Sequence, residues 1–405
     1  MPPPLRAGGA KWAWRGGQSF CGAFCGKAGS RLTAELVVEE WNFPPKLMTT
    51  APPQTLKPLR IGNIELDFPV VQAALSGYSD TAMRVIARRL GASYTLCEVM
   101  LDYFIMQVKD RPRNSHLMHV ADEEHPVAGQ LMGAEPEQFG PAAQKLVEKG
   151  FDVIDINFGC PVKKVLGRCR GGFHLSQPEV ALEIVSRVRD ALPAHVPVTL
   201  KMRRGIDDSA ESREKFFEIF DGAYERGVVA VTVHGRTVMQ RYEGPSRWEF
   251  LRELKAYAGD RVILGSGDLF NAQACLDMME YTGVDGVTAA RGCIGNPWIF
   301  QQSRELAAGK PMPAPPTLHE QRDVIAEHYR LAEELYGAER CIPTMRKFGI
   351  KYSQLHPQHA EVRADFGTVK IVGGWRDVLA KWYSVDGPGV HPANEESNPL
   401  ASAAE

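Results

Sequence analysis

From Phe68 onward, short runs of β-branched and other apolar residues alternate with longer stretches whose apolar positions recur at helical spacing. Eight of the short runs read as strands: Pro69 to Ala73, Tyr94 to Cys97, Val127 to Leu131, Val153 to Ile156, Val198 to Lys201, Val229 to Val233, Val262 to Leu264 and Gly286 to Thr288. Between them Ala181, Ile184, Val185 and Val188 recur at i, i+3, i+4, i+7, and Phe216, Phe220 and Ala223 keep the same period. Both segments therefore predict helices that bury one face. Eight strand–helix units over roughly 240 residues match a closed parallel barrel, whereas an open doubly wound sheet usually has fewer strands. The expected fold is α/β, a (β/α)8 TIM barrel at 58–309, with chemistry at the C-terminal ends of its strands.

Beyond the barrel, Pro311 to Pro316 reads as a stiff linker, and Thr317 with Glu320 forms a capping box that opens a helix. Val324, His328, Leu331 and Leu335 share one face of it, which predicts a helical domain over 310–385. At the other end, 1–57 is rich in Gly, Pro and small polar residues and carries Arg6, Lys11, Arg15, Lys27 and Arg31 before its first acid, Glu35. Little structure is expected there; composition favours a dispensable leader ahead of Met48 over a basic RNA-binding or targeting arm. Pro, Asn, Ser and Ala dominate from Asp386 onward, which predicts a disordered tail over 386–405.

Composition narrows the function. The 405 residues are 44% hydrophobic with a formal net charge of -2, so bulk charge does not point to a nucleic-acid partner and any basic surface must be local. Such a surface is found in the helical domain, where Arg340, Arg346, Lys347, Lys351, Arg363, Lys370, Arg376 and Lys381 outnumber Glu361, Asp365 and Asp377 and are interleaved with aromatic residues. The cysteines lack the dense spacing of a disulfide scaffold, which fits a reducing, cytoplasmic setting. No apolar run approaches the roughly 18 residues that span a bilayer, so no membrane association is expected. Cys21 and Cys25 have no second Cys/His pair nearby, and no metal is expected.

Several strand ends carry groups suited to a flat, phosphorylated ligand. Ala74-Leu75-Ser76-Gly77 is a small-residue turn that lets backbone approach a ring. Gln130 presents an amide that both donates and accepts. Lys201, with Arg203 and Arg204 behind it, places a cation where an electron-rich edge would need one. His234-Gly235-Arg236-Thr237 follows the sixth strand. The last two strands end in Gly265-Ser266-Gly267-Asp268 and Ala290-Arg291-Gly292-Cys293, the position of the usual phosphate site of a barrel. Asn296-Pro297 then reads as a helix N-cap with proline at the first position. The fourth strand ends in Asn157-Phe158-Gly159-Cys160-Pro161-Val162-Lys163-Lys164-Val165. A thiol there is mainly protonated near neutrality, its ordinary pKa being about 8.5, yet the neighbouring cations favour thiolate; acid and nucleophile both remain open.

That loop, with Gly171-Gly172, resembles the N-x-G-C-P-x-x-K-V segment of the tRNA-dihydrouridine synthases. The resemblance extends over about Leu59 to Tyr383 through His234 to Thr237, Tyr242, Gly244, Trp248, Gly267-Asp268, Arg291-Gly292, Gly295 to Phe300 and Arg346 to Tyr352. It implies an FMN held by Ala74, Leu75, Ser76, Gln130, Lys201, His234, Ser266, Gly267, Asp268, Ala290 and Arg291. NADPH would reduce the flavin, hydride would pass to C6 of a D-loop uridine, and Cys160 would protonate C5 as general acid. Asn157, Lys163, Lys164, Arg236, Arg346, Lys347 and Lys351 would contact tRNA, whose target base must be unstacked. The chain departs from the family where it has Ala74-Leu75-Ser76 for Pro-Met-Ala, Ser266 for Asn and Ala290 for Gly. A monomer is expected. A small-molecule FMN barrel reductase of the dihydroorotate dehydrogenase or old yellow enzyme type leaves the basic domain without a role, and a redox-inactive RNA-binding paralogue leaves Cys160, Gln130 and Lys201 unexplained.

Overall fold

The computed structural model describes residues 56–108 and 112–392. Nearly all of the N-terminal extension, including Cys21 and Cys25, and the tail beyond Pro392 lie outside the described residues.

A hairpin precedes the barrel. Strands β1 (Leu59–Ile61) and β2 (Ile64–Leu66) pair antiparallel across a turn in which Gly62 takes φ +63°. At three residues each they are too short to show the alternation that identifies a strand, and the hydropathy pattern did not predict them. Eight parallel strands then close on themselves: β3 (Val70–Gln72), β4 (Thr95–Leu101), β5 (Val127–Met132), β6 (Val153–Phe158), β7 (Val198–Arg203), β8 (Val228–His234), β9 (Val262–Ser266) and β10 (Gly286–Ala289), with β10 bonded to both β9 and β3. Every run read as a strand is one. Around them lie α1 (Thr81–Arg89), α2 (Asp102–Gln107), α3 (Pro136–Glu148), the single turn α4 (Lys163–Leu166), α5 (Pro178–Ala191), α6 (Ala210–Glu225), α7 (Trp248–Ala258), α8 (Ala272–Thr282) and α9 (Ile299–Ala307). The predicted stripes of α5 and α6 face the strands and are buried.

Strand parity divides the core. Val71, Tyr94, Leu96, Ala128, Val153, Ala230 and Leu264 fill the barrel's lower interior, together with Leu59, Ile61 and Leu66 of the hairpin. The hairpin thus closes the N-terminal end of the barrel. Gly286 marks how tightly: an added Cβ would lie 3.0 Å from a Leu59 methyl and 2.8 Å from the Pro69 carbonyl oxygen. Higher in the same interior the residues become polar, and there the site is built.

The helical domain comprises α10 (Leu318–Tyr336), α11 (Cys341–Tyr352), α12 (His359–Thr368) and α13 (Gly374–Trp382). The Thr317 capping box forms: the Glu320 amide donates to Thr317 Oγ1 at 3.2 Å, and the Thr317 amide donates to the Glu320 carboxylate at 2.7 Å. This domain shares one continuous apolar core with the outer barrel, which includes Phe348 and Tyr352 of α11 as well as Ile294 and Trp298. The loop after β10 lies directly on α11, since a Cβ on Gly295 would fall 2.4 Å from the Lys351 carbonyl carbon.

Three sequence expectations change. The buried stripe of α10 is Gln321, Ile325, His328, Tyr329 and Ala332, so of the predicted face only His328 is fully buried. Packing decides this, because Tyr329 stacks on Trp375 at 3.6 Å and turns the helix accordingly. Asn296 does not cap α9, which begins at Ile299 with Trp298 before it. The chain is also held past Asp386: the Leu318 amide donates to the Gly387 carbonyl and the Val390 amide to the Leu355 carbonyl, each at 2.9 Å. Among the described residues no helix is long and apolar enough to cross a membrane.

Leu59→Ala removes a plug side chain only 2% exposed. It is expected to lower unfolding free energy by about 2–4 kcal/mol, read as a shifted urea midpoint; an unchanged midpoint would show that the hairpin does not close the barrel.

Candidate active site

The site begins with side chains of one parity on adjacent strands. Asp155 on β6 is level with Gln130 on β5 and Thr199 on β7, and Asn157 is level with Lys201. These residues form a buried chain of hydrogen bonds. Thr199 Oγ1 donates to Asp155 Oδ1 at 2.6 Å, and Gln130 Nε2 donates to Asp155 Oδ2 at 2.7 Å. Gln130 Oε1 in turn accepts from Asn157 Nδ2 at 2.7 Å. Asn157 Oδ1 then accepts from the amides of Gly159 at 2.9 Å and Cys160 at 3.1 Å. An amide cannot rotate freely when each end is matched to a partner of opposite kind, so Asp155 sets the orientation of Gln130, Gln130 that of Asn157, and Asn157 the loop bearing Cys160.

A second tie comes from Arg203, which is 3% exposed. Its Nε donates to the Gly159 carbonyl at 2.9 Å, while its Nη1 donates to the carbonyls of Thr237 at 2.8 Å and Arg241 at 2.7 Å. The Cys160 loop is thereby joined to the loop after β8. Close packing completes it: the Gly172 amide donates to the Cys160 carbonyl at 3.0 Å, and a Cβ on Gly171 would lie 2.8 Å from that of Cys160.

Half-burial pushes the Cys160 thiol up from its ordinary value, and the Val162 amide and the Arg203 charge only partly oppose this. The neighbouring lysines do not act as the sequence suggested, because Lys163 and Lys164 point outward and are exposed. A protonated thiol at neutral pH follows. Burial acts on the cations as well: the Lys201 ammonium is pushed down to about 8 against the opposing pull of Asp155. Its Nζ reaches Ser266 Oγ at 3.4 Å, a long contact that leaves donor capacity unused. His234 is held well below the usual imidazole range by burial and then by Arg203, Lys201, Arg236 and Arg291. Its Nδ1 accepts from the Arg236 amide at 3.1 Å, so the neutral ring carries its proton on Nε2.

The loops after β8, β9 and β10 converge on Asp268, a non-glycine residue at φ +59°. Its carboxylate pairs with Arg236 at 2.7 Å and Arg291 at 3.5 Å and accepts from the Ser246 amide at 2.7 Å. Gly267 beside it is irreplaceable, since at φ +117° a Cβ would sit 2.3 Å from Ser246 Oγ. Ser266, Gly267, Asp268, Ala290 and Arg291 are therefore brought together, and the two guanidiniums outnumber the one carboxylate they share. The geometry suits an anionic group. Among the described residues no cluster of His, Cys, Asp and Glu suits a metal.

The chain matches the family model described as dihydrouridine synthase over residues 71–375. It belongs to the dihydrouridine synthase family. A probable tRNA-dihydrouridine synthase of Rickettsia prowazekii is 34% identical over 327 residues, covering 80% of this chain and 97% of the relative. A probable tRNA-dihydrouridine synthase of Mycobacterium tuberculosis is 35% identical over 321 residues, with 77% and 81% covered. tRNA-dihydrouridine synthase B of Xanthomonas axonopodis pv. citri is 32% identical over 307 residues, with 76% and 90% covered. In structure the chain is similar to a 2-naphthoyl-CoA reductase in complex with 2-naphthoyl-CoA, with TM-score 0.51 and 12% identity over 64% of this chain and 52% of the reductase, a likeness of fold.

Some residues first read as family contacts are placed in the scaffold. Arg236 is 4% exposed and bonded to Asp268 and the Gly244 carbonyl. Lys347 donates to the Gly77 carbonyl at 2.5 Å. Ala74 and Leu75 are half-buried and Ser76 is exposed on the turn after β3. Two others keep part of their surface in solvent: Lys351 is half-buried on α11, as is Arg346, which reaches the Val369 carbonyl at 3.5 Å. Of the aromatics interleaved with the basic residues, Phe348, Tyr352, Trp375 and Tyr383 are core. Asp155, Thr199 and the roles of Arg203 and Ser246 were missed. An acid inside Val153-Ile154-Asp155-Ile156, with Asn157 two residues on, was the available signal for Asp155: alternate positions face the same side of a strand.

Because the Cys160 proton is retained by burial, its alkylation by iodoacetamide in the Cys169→Ser background is expected to reach half its limiting rate above pH 8.5, the ordinary thiol value of about 8.5 serving as reference. Peptide mass spectrometry resolves the site; a midpoint below pH 7 would show a thiolate instead.

Proposed function

We propose that this protein is a cytoplasmic, FMN-dependent tRNA-dihydrouridine synthase that uses NADPH to reduce a D-loop uridine. The observation that carries this reading is Cys160, a half-buried thiol whose loop is fixed by Asn157 and Arg203 at the end of β6, in a chain that belongs to the dihydrouridine synthase family. The residues fit the flavin by their donor chemistry. The Lys201 ammonium, the Nε2–H of His234 and the Gln130 amide would meet the ring. The turns at Ser266 to Asp268 and Ala290-Arg291 would hold the phosphate, and Ala74 to Ser76 would lie along the ring with backbone groups, so that side-chain departures from the family there matter little.

When bound and reduced by NADPH, FMN would supply the hydride for C6 of the uracil. The chain's own residues do the rest. Cys160 gives its proton to C5, as a group whose burial keeps it protonated until a carbanion-like centre arrives. Arg203 and Asn157 keep the thiol's loop from moving as that proton leaves. The exposed Lys163 and Lys164, next to the thiol, and Arg346 and Lys351 on α11 would take tRNA phosphates around the extruded base.

Two outcomes test this. Cys160→Ala is expected to retain bound FMN and its reduction by NADPH but to lose dihydrouridine formation by about a hundredfold or more; full activity would remove the thiol from the mechanism. Replacing Lys163 and Lys164 together by Ala is expected to weaken tRNA binding and flatten its dependence on salt by about two phosphate contacts, measured by filter binding over a salt series. An unchanged slope would place the RNA elsewhere. Mapping dihydrouridine in tRNA from cells with and without the gene identifies the base.

A further inference from the structure

Lys347 lies within the segment of α11 first read as an RNA contact, yet its charge is directed into the protein. Its Nζ donates to the Gly77 carbonyl at 2.5 Å and stands 5.1 Å from the centre of the Tyr78 ring. On the other side of the same residue, the Gly77 amide donates to the Glu98 carboxylate of β4 at 2.6 Å. Both polar groups of Gly77 are thus held by charged side chains, one from the barrel and one from the helical domain. Charge-assisted bonds of this kind are about twice as strong as neutral ones.

The same turn has two further ties to the helical domain. Tyr336 of α10 donates its hydroxyl to Asp80 Oδ2 at 2.8 Å, while Asp80 Oδ1 caps α1 by accepting from the Met83 amide at 2.9 Å. Tyr78 meets Phe348 edge to face at 5.5 Å. Gly77 itself takes φ +76°, so the turn after β3 has a backbone shape that few residues adopt and that needs holding.

We propose that Lys347 is a positioning residue for the turn Leu75 to Asp80, locking the backbone that faces the cofactor, and is not an RNA-phosphate contact. This rests on the flavin reading given above. It makes the helical domain part of the cofactor site as well as a neighbour of it.

The full-length protein, stripped of flavin, is titrated with FMN and separately with tRNA at one fixed salt concentration. Lys347→Met is expected to raise the FMN Kd about tenfold, the effect of losing one hydrogen bond to a charged group, with tRNA affinity of the flavin-loaded form little changed. Lys347→Arg, which keeps a cationic donor, should recover most of the FMN affinity. Arg346→Ala, one residue away, should leave FMN affinity intact while weakening tRNA binding. Wild-type FMN affinity in Lys347→Met together with weakened tRNA binding would overturn the proposal and return Lys347 to the RNA surface. If Lys347→Met does not fold, Tyr336→Phe, which deletes only the hydroxyl on Asp80, decides: a severalfold rise in FMN Kd supports the positioning of this turn by the helical domain, and an unchanged Kd overturns it. Absence of FMN binding by the wild-type chain would instead refute the flavin reading.

Discussion

The buried carboxyl of Asp155 is the constraint on which the site depends. It is 1% exposed, and burial pushes its pKa up while Thr199 and Gln130 hold it by hydrogen bonds. Placing such a group inside a barrel is costly unless its oxygens are matched. The matching has a consequence: once Gln130 Nε2 is committed to Asp155, its Oε1 must face Asn157, and Asn157 must turn its own oxygen to the amides of Gly159 and Cys160. A single acid therefore determines, through two further side chains, where the thiol's loop stands. The network is polar above and apolar below, where the hairpin plug seals the interior from water. That contrast also explains the charge states, since the same removal from water that keeps Cys160 protonated lowers Lys201 and neutralises His234.

The barrel and the helical domain are one body of packing. Phe348, Tyr352, Ile294 and Trp298 belong to the same core; α10 packs on α1, and both α10 and α11 reach the turn after β3 through Tyr336, Lys347 and Phe348. Removing the helical domain would expose this surface and release Gly77 and Asp80 from Lys347 and Tyr336. The two regions are consequently poorly separated by truncation and well separated by single substitutions. The basic residues sort the same way. Arg236 and Lys347 face inward and bond to loop groups, whereas Lys163, Lys164, Arg363, Lys370 and Arg376 are exposed.

Much of this was legible in the chain. The period of the apolar positions identified every barrel strand, because a strand buried on both sides must be a compact apolar run, and the count of such runs identified the closed barrel. The C-terminal parts of the strands pointed to Cys160, Gln130, Lys201 and the paired glycine turns as candidates, because barrel chemistry gathers there. The hairpin was not legible, since three-residue strands carry no periodicity. The buried face of α10 was not either: Tyr329, stacked on Trp375, is buried in place of Val324, Leu331 and Leu335.

What the sequence determined by itself was the inventory: a parallel barrel, a thiol on a strand-end loop, cations in an apolar run, and a basic helical segment. Those follow from local pattern and residue chemistry. Only the tertiary structure decided which polar groups face each other. Asp155 and Gln130 are 25 residues apart and Lys347 and Gly77 are 270 apart, and no local pattern reports such pairs. The raised pKa of the Cys160 thiol was likewise a tertiary matter, because burial outweighs the opposing charge of Arg203, which only the fold brings near, while the lysines beside it in sequence stay exposed.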